Sequence, residues 1–368
     1  MATDSFLRSM TISILFLGAM LSMSTANCCK ILFASEPFLI GGYSGGIYLS
    51  SLSSDGSMVP PVQVATQASP SFLCLHPSLD VVYVVTETQR NDQEQPASVV
   101  AYGWNRNEDF SGKTPALTEI NRKKIDGDIP CHVTVDRTGK WIVIANYING
   151  SVVVFPIAAD GAIESESCNV VHAIVDGKKA SNAHCSAISP DNQWVLVCDL
   201  GLDRVFVYRL DHTTGKLSPS QYPHLSLPAG SGPRHLSFHP NGKFVYVINE
   251  TDLTMTSANW NSDLGKLETI NIVSTLPPNA KASGFSTAEV LVHPTGRFVF
   301  GSNRGHDSIV TMRIQPDTGA VERVDNASTQ GKTPRNFRLS PDGKMLLAEN
   351  QSSDTIYSFH VDAERNKL

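Results

Sequence analysis

Histidine, arginine and glutamate recur at the two ends of short apolar runs in this chain. Just before one set of runs stand His132, His184, the pair Arg234-His235, Glu289 and Arg335. Just after a second set stand Glu87, Asn146-Tyr147, Asp199, Glu250, Asn303-Arg304-His306 and Asn350-Gln351. Arginines offer planar, permanently charged donors matched to carboxylate or phosphate. Histidine and glutamate offer protons that burial can tune toward neutral pH. If these side chains converge, they form a site for a small polyanionic substrate undergoing acid/base chemistry. There is no CxxC or HxxxH spacing for a zinc site, and no serine elbow or cysteine pair for covalent catalysis. Cys131 beside His132 and Cys185 beside His184 pair a thiol with an imidazole in sequence. Consecutive residues of a strand face opposite ways, so such neighbours are not expected to meet.

Whether the groups converge depends on the elements that carry them, and those elements repeat. Six segments share one phrase, an apolar run, a turn and a second apolar run: FLCLHPSLDVVYVV, HVTVDRTGKWIVIA, SAISPDNQWVLVCD, LSFHPNGKFVYVIN, VLVHPTGRFVFGSN and FRLSPDGKMLLAEN. Their turn residues, Leu79, Gly139, Asn192, Gly242, Gly296 and Gly343, are spaced 60, 53, 50, 54 and 47 apart. A third alternating strand follows each (SVVAYGW, SVVVFPI, RVFVYRL, TMTSANW, SIVTMRI, TIYSFHV), and four units add a turn such as DHTTGKL and a fourth strand. A seventh copy of the later portion, FLIGGYSGGIYLSSL, begins at Phe38.

A four-stranded meander cannot bury both of its faces alone, whereas radial repetition packs each sheet between two neighbours. The period therefore predicts an all-β fold, a seven-bladed β-propeller of four-stranded antiparallel blades, forming a single domain over residues 38–368; two β-sandwiches fit a regular spacing poorly. The first unit lacks an opening strand and the chain stops at AERNKL, where the seventh unit should begin its fourth strand. Closure of the ring at the C-terminus is left open, with residues 31–35 (ILFAS) as candidate filler. In a blade, the loop entering strand one and the loop joining strands two and three lie on the same face. The histidine, arginine, glutamate and asparagine side chains at the strand ends are thus expected at one mouth of the central channel, with only turn chemistry on the other face. Asn146, Asn303 and Asn350 read as loop formers, and Glu87, Tyr147, Asp199 and Gln351 read equally well as capped turns.

Composition bounds the partners. The formal charge of −6 with no basic run argues against nucleic acid. Residues 12–20 (ISILFLGAM), preceded by Arg8 and followed by Ser24-Thr25-Ala26, have the layout of a secretory signal peptide over residues 1–26. No later run is long enough to span a membrane, so the mature protein is expected free of the membrane, in a secretory compartment or outside the cell; the alternative is a cytoplasmic protein. Seven cysteines, none after Cys198, do not form a disulfide framework. Of the sequons at Asn149, Asn249, Asn326 and Asn350, only Asn326 is expected to be accessible.

The phrases GDIPCHVTVDRTGKWIVIANY, GSGPRHLSFHPNGKFVYVINE, STAEVLVHPTGRFVFGSNRGHDSI and TPRNFRLSPDGKMLLAEN closely resemble the seven-bladed propeller lactonase family, over about residues 38–361. That family includes the bacterial-type 6-phosphogluconolactonase and the carboxy-muconate cyclase. The resemblance implies hydrolysis of a sugar lactone, 6-phosphogluconolactone foremost, with no metal or other cofactor and a small anionic lactone as partner. A muconate-type cyclase and a non-catalytic binding scaffold are the alternatives. Carried over by motif, the catalytic set looks like His184 in NAHCSAIS, Arg234 in GPRH, Glu250 in VINE and Arg304 in SNRGHDS. His132, His235, Glu289, His306 and Arg335 would then orient the substrate. His184 or Glu250 would move the proton, and the motifs do not separate the two.

Overall fold

A computed structural model describes residues 13–16, 35–106, 116–172, 180–362, 364 and 367–368. They form seven antiparallel sheets, each a meander ordered as in the sequence. Six sheets have four strands and the last has three, Pro334–Leu339, Met345–Asn350 and Thr355–His360. We number the sheets as blades I to VII in chain order. The second strand of blades II to VII is buried on both faces, as in Trp194–Asp199 (WVLVCD) and Phe244–Asn249 (FVYVIN). This is why the apolar runs are continuous there: a sheet covered on both sides needs no polar face. Each of the seven seams between neighbouring blades carries its own apolar cluster, such as Trp194, Leu196 and Cys198 of blade IV against Leu236, Val245 and Val247 of blade V. The apolar core is therefore a circle of seams around a polar channel.

The ring closes. The innermost strand of blade I is Ser13–Phe16, antiparallel to Ser35–Gly41 and in contact with the innermost strands of blades II and VII. Residues 31–34, the suggested filler, lie outside the described residues, and Ser35 already belongs to the second strand. Ser13–Phe16 falls inside the apolar run 12–20 that reads as a leader; the rest of that run lies outside the described residues. At the other end blade VII has three strands, and Asp362 bridges Lys367 where a fourth would start. No helix among the described residues is long and apolar enough to cross a membrane.

The face away from the ionisable residues is held by a device the turn motif contains. In the HP of blades II, V and VI, the imidazoles of His76, His239 and His293 donate from Nε2 to the carbonyls of Gly139, Gly296 and Gly343 in the next blade, at 3.0, 2.8 and 3.0 Å. Their Nδ1 atoms accept backbone N–H groups of their own turns, which leaves Nε2 as the nitrogen that donates. In blade III the same position is Asp136, which accepts from Asn192 of blade IV at 2.9 Å. The glycine is required twice over at Gly296, where φ is +70° and an added Cβ would lie 2.6 Å from the His239 ring.

Asn326 does not present its amide as expected. It is half-buried and donates from Nδ2 to Thr275 O at 2.8 Å.

Removing one staple should be measurable. His239→Ala is expected to lower unfolding stability by about 1–3 kcal/mol, because the Gly296 carbonyl loses its donor. Lys243→Ala in the same turn should stay within about 0.5 kcal/mol, both read as midpoints of urea denaturation.

Candidate active site

Five of the seven innermost strands carry a register shift, and all but one of the residues left out of register are those the sequence singles out. Pairing skips Cys131 in blade III, His184 in blade IV, Arg234 in blade V, Ala288 and Glu289 in blade VI and Arg335 in blade VII. A bulge bends the strand and breaks the alternation of side chains. Both members of the pair Arg234-His235 consequently line the same small pocket, with His184, Cys131, Glu87, Tyr43 and Arg335. The pocket is narrow, with about 20 Å³ of room inside and about 290 Å³ of space once its open mouth is included. A larger apolar cleft between blades I and VII, walled by Phe38, Tyr48, Met58 and Ile356, has Asp354 as its one ionisable acid and is not where this chemistry gathers.

Glu250 organises the cationic side of the site. Its Oε2 lies 3.0 Å from Arg234 Nε and 2.9 Å from Arg304 Nη2. The two guanidiniums are aimed by backbone as well: Arg234 Nη1 donates to Ala288 O at 2.8 Å and Arg304 Nη2 to Thr287 O at 2.7 Å. Burial alone would raise the Glu250 pKa, but Arg304, Arg234 and Arg335 outweigh it and hold the carboxyl below its usual range. Burial in turn brings Arg304 down to about 10.

Beneath the pocket lies a second layer. His235 Nδ1 is 2.9 Å from Glu289 Oε1, and Arg234 Nη1 approaches its Nε2 at 3.3 Å. Glu289 also accepts from Val290 N at 2.9 Å and has Arg338 at 3.8 Å. Burial opposes its ionisation, yet His235 and Arg338 prevail and take its pKa down to about 2. The rings of His132 and His184 meet that of His235 at centroid distances of 5.4 and 5.3 Å. Desolvation is the first cause of depressed basicity in all three, reinforced by Arg234 and, for His132 and His184, by His235, so each imidazole is neutral near pH 7.

The structure therefore brings His184, Arg234, His235 and Arg335 to the void, with Glu250 and Arg304 tied to Arg234. It sets Glu289 and His132 behind His235. His306 is apart, with Nδ1 2.7 Å from Ser308 Oγ and its ring edge-on to Phe285. The neighbouring thiols and imidazoles do not meet within a strand, as expected, but cross between blades: Cys131 Sγ is 3.9 Å from His184 Nδ1 and Cys185 Sγ 3.6 Å from His132 Nε2. Asn146 and Asn350 are fully buried loop formers, donating to Ser151 Oγ and Thr329 O at 3.0 Å each. Asp199 is a capped turn, accepting from His172 Nδ1 at 2.6 Å, from Ser181 and from Asn182 N. Tyr43, which follows Gly41-Gly42 and was not singled out in the sequence, enters the pocket, and so does Glu87, which the sequence reads equally well as a capped turn and whose position matches that of Glu250 in the repeat. Tyr43 Oη donates to Glu87 Oε1 at 2.6 Å. Among the described residues no three His, Cys, Asp or Glu side chains come together as a metal-binding group.

Comparison with known proteins agrees with this architecture. The chain is 30% identical over 331 residues to a 6-phosphogluconolactonase of Bacillus subtilis, covering 89% of this chain and 90% of that protein. A 6-phosphogluconolactonase of Formosa agariphila is 30% identical over 306 residues, with 81% and 83% covered. Among solved structures, the periplasmic gluconolactonase PpgL of Pseudomonas aeruginosa superposes with a TM-score of 0.81 at 27% identity, covering 90% of this chain and 93% of that one. The family model described as lactonase, 7-bladed beta-propeller, matches residues 37–368, and on these findings the chain belongs to the seven-bladed β-propeller lactonase family.

Proposed function

We propose that this protein hydrolyses a sugar lactone at the mouth of its channel, with 6-phosphogluconolactone as the favoured substrate and 6-phosphogluconate as product. The observation that carries the reading is the Glu250 carboxylate bridging Arg234 and Arg304 beside the neutral, pocket-facing imidazole of His184. Lactone opening needs a base for the attacking water and a cation where the carbonyl oxygen becomes an oxyanion. His184 accepts the proton from water. Arg234, held in place by Glu250 and Ala288 O, receives the developing negative charge. Glu289 keeps His235 oriented as a hydrogen-bonding neighbour of Arg234, a positioning role. Arg335 shares the pocket, while the charge of Glu250 is already divided between two other arginines, so Arg335 is the group to anchor a phosphate or carboxylate carried by the substrate. None of these steps uses a metal.

The relatives named for the phosphorylated lactone and the periplasmic relative named for gluconolactone bracket the substrate. The leader proposed for residues 1–26 bears on that choice, because a protein exported from the cytosol meets sugar lactones other than the phosphorylated one. Cleavage after Ala26 would also remove the innermost strand of blade I, so mass spectrometry of the mature chain is informative on both counts. A mature N-terminus at Asn27 supports export, and retention of residues 13–16 opposes it.

Activity measurements test the rest. Arg234→Ala is expected to lower kcat for gluconolactone opening by roughly 100-fold or more, the usual cost of an oxyanion donor. Arg335→Ala should instead raise KM for 6-phosphogluconolactone and leave that for glucono-δ-lactone nearly unchanged. A wild-type protein that does not exceed spontaneous hydrolysis removes the proposal, and ring closure of carboxy-muconate, followed by ultraviolet absorbance, would replace it with a cyclase.

The pH dependence has a defined sign. Because His184 is depressed by burial and by Arg234, it stays neutral below the ordinary histidine value of 6.5. Glu250 remains ionised below 4.5. The corrected kcat/KM should therefore show no fall as pH is lowered through 6.5, with the acid limb appearing only at lower pH.

A further inference from the structure

We propose that Glu87 is the second carboxyl of this site and donates the proton that the ring oxygen takes up as the lactone opens. The inference rests on the lactonase reading and assigns the acid that it leaves open.

The first argument is positional. Glu87 stands eight residues after Leu79, as Glu250 stands eight after Gly242, so the two occupy the same place in the repeat. Each follows the second strand of its blade, Val81–Thr86 in blade II and Phe244–Asn249 in blade V. Blades II and V are three apart in a ring of seven, and the symmetry of the propeller sets their equivalent loops on opposite sides of the channel mouth. Glu87 lines the pocket itself, whereas Glu250 acts on it through Arg234, to which it is paired.

The second argument is local geometry. Glu87 lines the void together with His184, Arg234 and Arg335. Its carboxyl is fixed by Tyr43 Oη, 2.6 Å from Oε1, and its backbone N–H donates to Ser69 O at 3.0 Å. An aimed carboxyl at the wall of a pocket is placed to exchange a proton with whatever binds there.

The third argument is the contrast between the two environments. Glu250 is shared by two arginines. Around Glu87, desolvation is the largest influence and raises its pKa in spite of Arg335, Ser71, Tyr43 and Arg234. The other titratable groups facing it do not supply compensating charge: His184 and His235 are neutral, and burial keeps the Cys131 thiol protonated. Two carboxyls with affinities pushed apart by their surroundings divide into base-side and acid-side roles.

The step balances. Water adds to the carbonyl carbon as His184 takes its proton. The bond from that carbon to the ring oxygen then breaks, and its electron pair stays on the ring oxygen, which takes the proton of Glu87. Arg335 stabilises the carboxylate left behind until solvent returns to Glu87 the proton that His184 releases. One water is consumed and a hydroxy acid is formed.

The test compares lactones whose leaving groups differ in their need for an acid. Wild type, Glu87→Gln and Tyr43→Phe are assayed on glucono-δ-lactone, which releases an alkoxide, and on dihydrocoumarin, which releases a phenoxide. Glu87→Gln is expected to lower kcat on gluconolactone by about 100-fold with little change in KM, to cost less than about threefold on dihydrocoumarin, and to abolish the alkaline limb of the pH–rate profile. Tyr43→Phe leaves Glu87 in place and removes a hydrogen bond to its ionised form, so the alkaline limb should move to higher pH. Equal losses on both lactones, or an unchanged alkaline limb in both variants, overturn the role of Glu87 while leaving the lactonase reading intact. A wild-type protein that opens neither of these lactones nor 6-phosphogluconolactone overturns both.

Discussion

The chemistry of this site depends on a small irregularity in backbone pairing. In a regular strand, Arg234 and His235 would face opposite sides of the sheet, and only one could reach the channel. Pairing jumps from Pro233 with Asn249 to His235 with Ile248, which frees Arg234 from the ladder and turns it into the pocket beside its neighbour. The same shift releases His184 and Arg335 in their blades. The asparagines that close these pairs, Asn249 and Asn350, are fully buried, and their side chains tie the loop to adjoining backbone or hydroxyls. The bulges are therefore held by structure outside the pocket.

Crowding three guanidiniums and three imidazoles at one opening would be repulsive if all were charged. Burial answers this by keeping His132, His184 and His235 neutral, and by distributing the remaining positive charge over Glu250 and Glu289. An isolated buried charge is costly, whereas a paired, hydrogen-bonded one is tolerated. The result is a site prepared for one further anion. Glu87, with a carboxyl that burial favours in its protonated form, does not cancel that preference.

The opposite face is less plain than its turn sequence implies. His76, His239 and His293 are not exposed turn residues; each spans a seam and holds the glycine of the next blade. One short phrase thus builds a tight turn, sets an interblade hydrogen bond and demands glycine where the imidazole passes. Adhesion between blades is thus built into the turns of one face, and the ionisable cluster lies at the other.

Much of this was legible in the sequence because it is local and repeated. Alternating apolar runs at a spacing near fifty residues dictate strands, meanders and their radial packing, and the placement of His184, Arg234, Glu250, Arg304 and Arg335 at strand ends dictates which mouth they share. What periodicity cannot specify is side-chain direction within a strand and contact across the ring. The bulges decide that Arg234 and His235 point together, and the seams decide that Cys131 meets His184 rather than His132. Closure brings blade II opposite blade V and so promotes Glu87 from a capped turn to a wall of the pocket, while Glu289 retreats beneath His235. It also places Ser13–Phe16, far from blade VII in the chain, between the innermost strands of blades II and VII. Those outcomes follow from hydrogen-bond register and burial between residues fifty or more positions apart, quantities that exist only once the circle is complete.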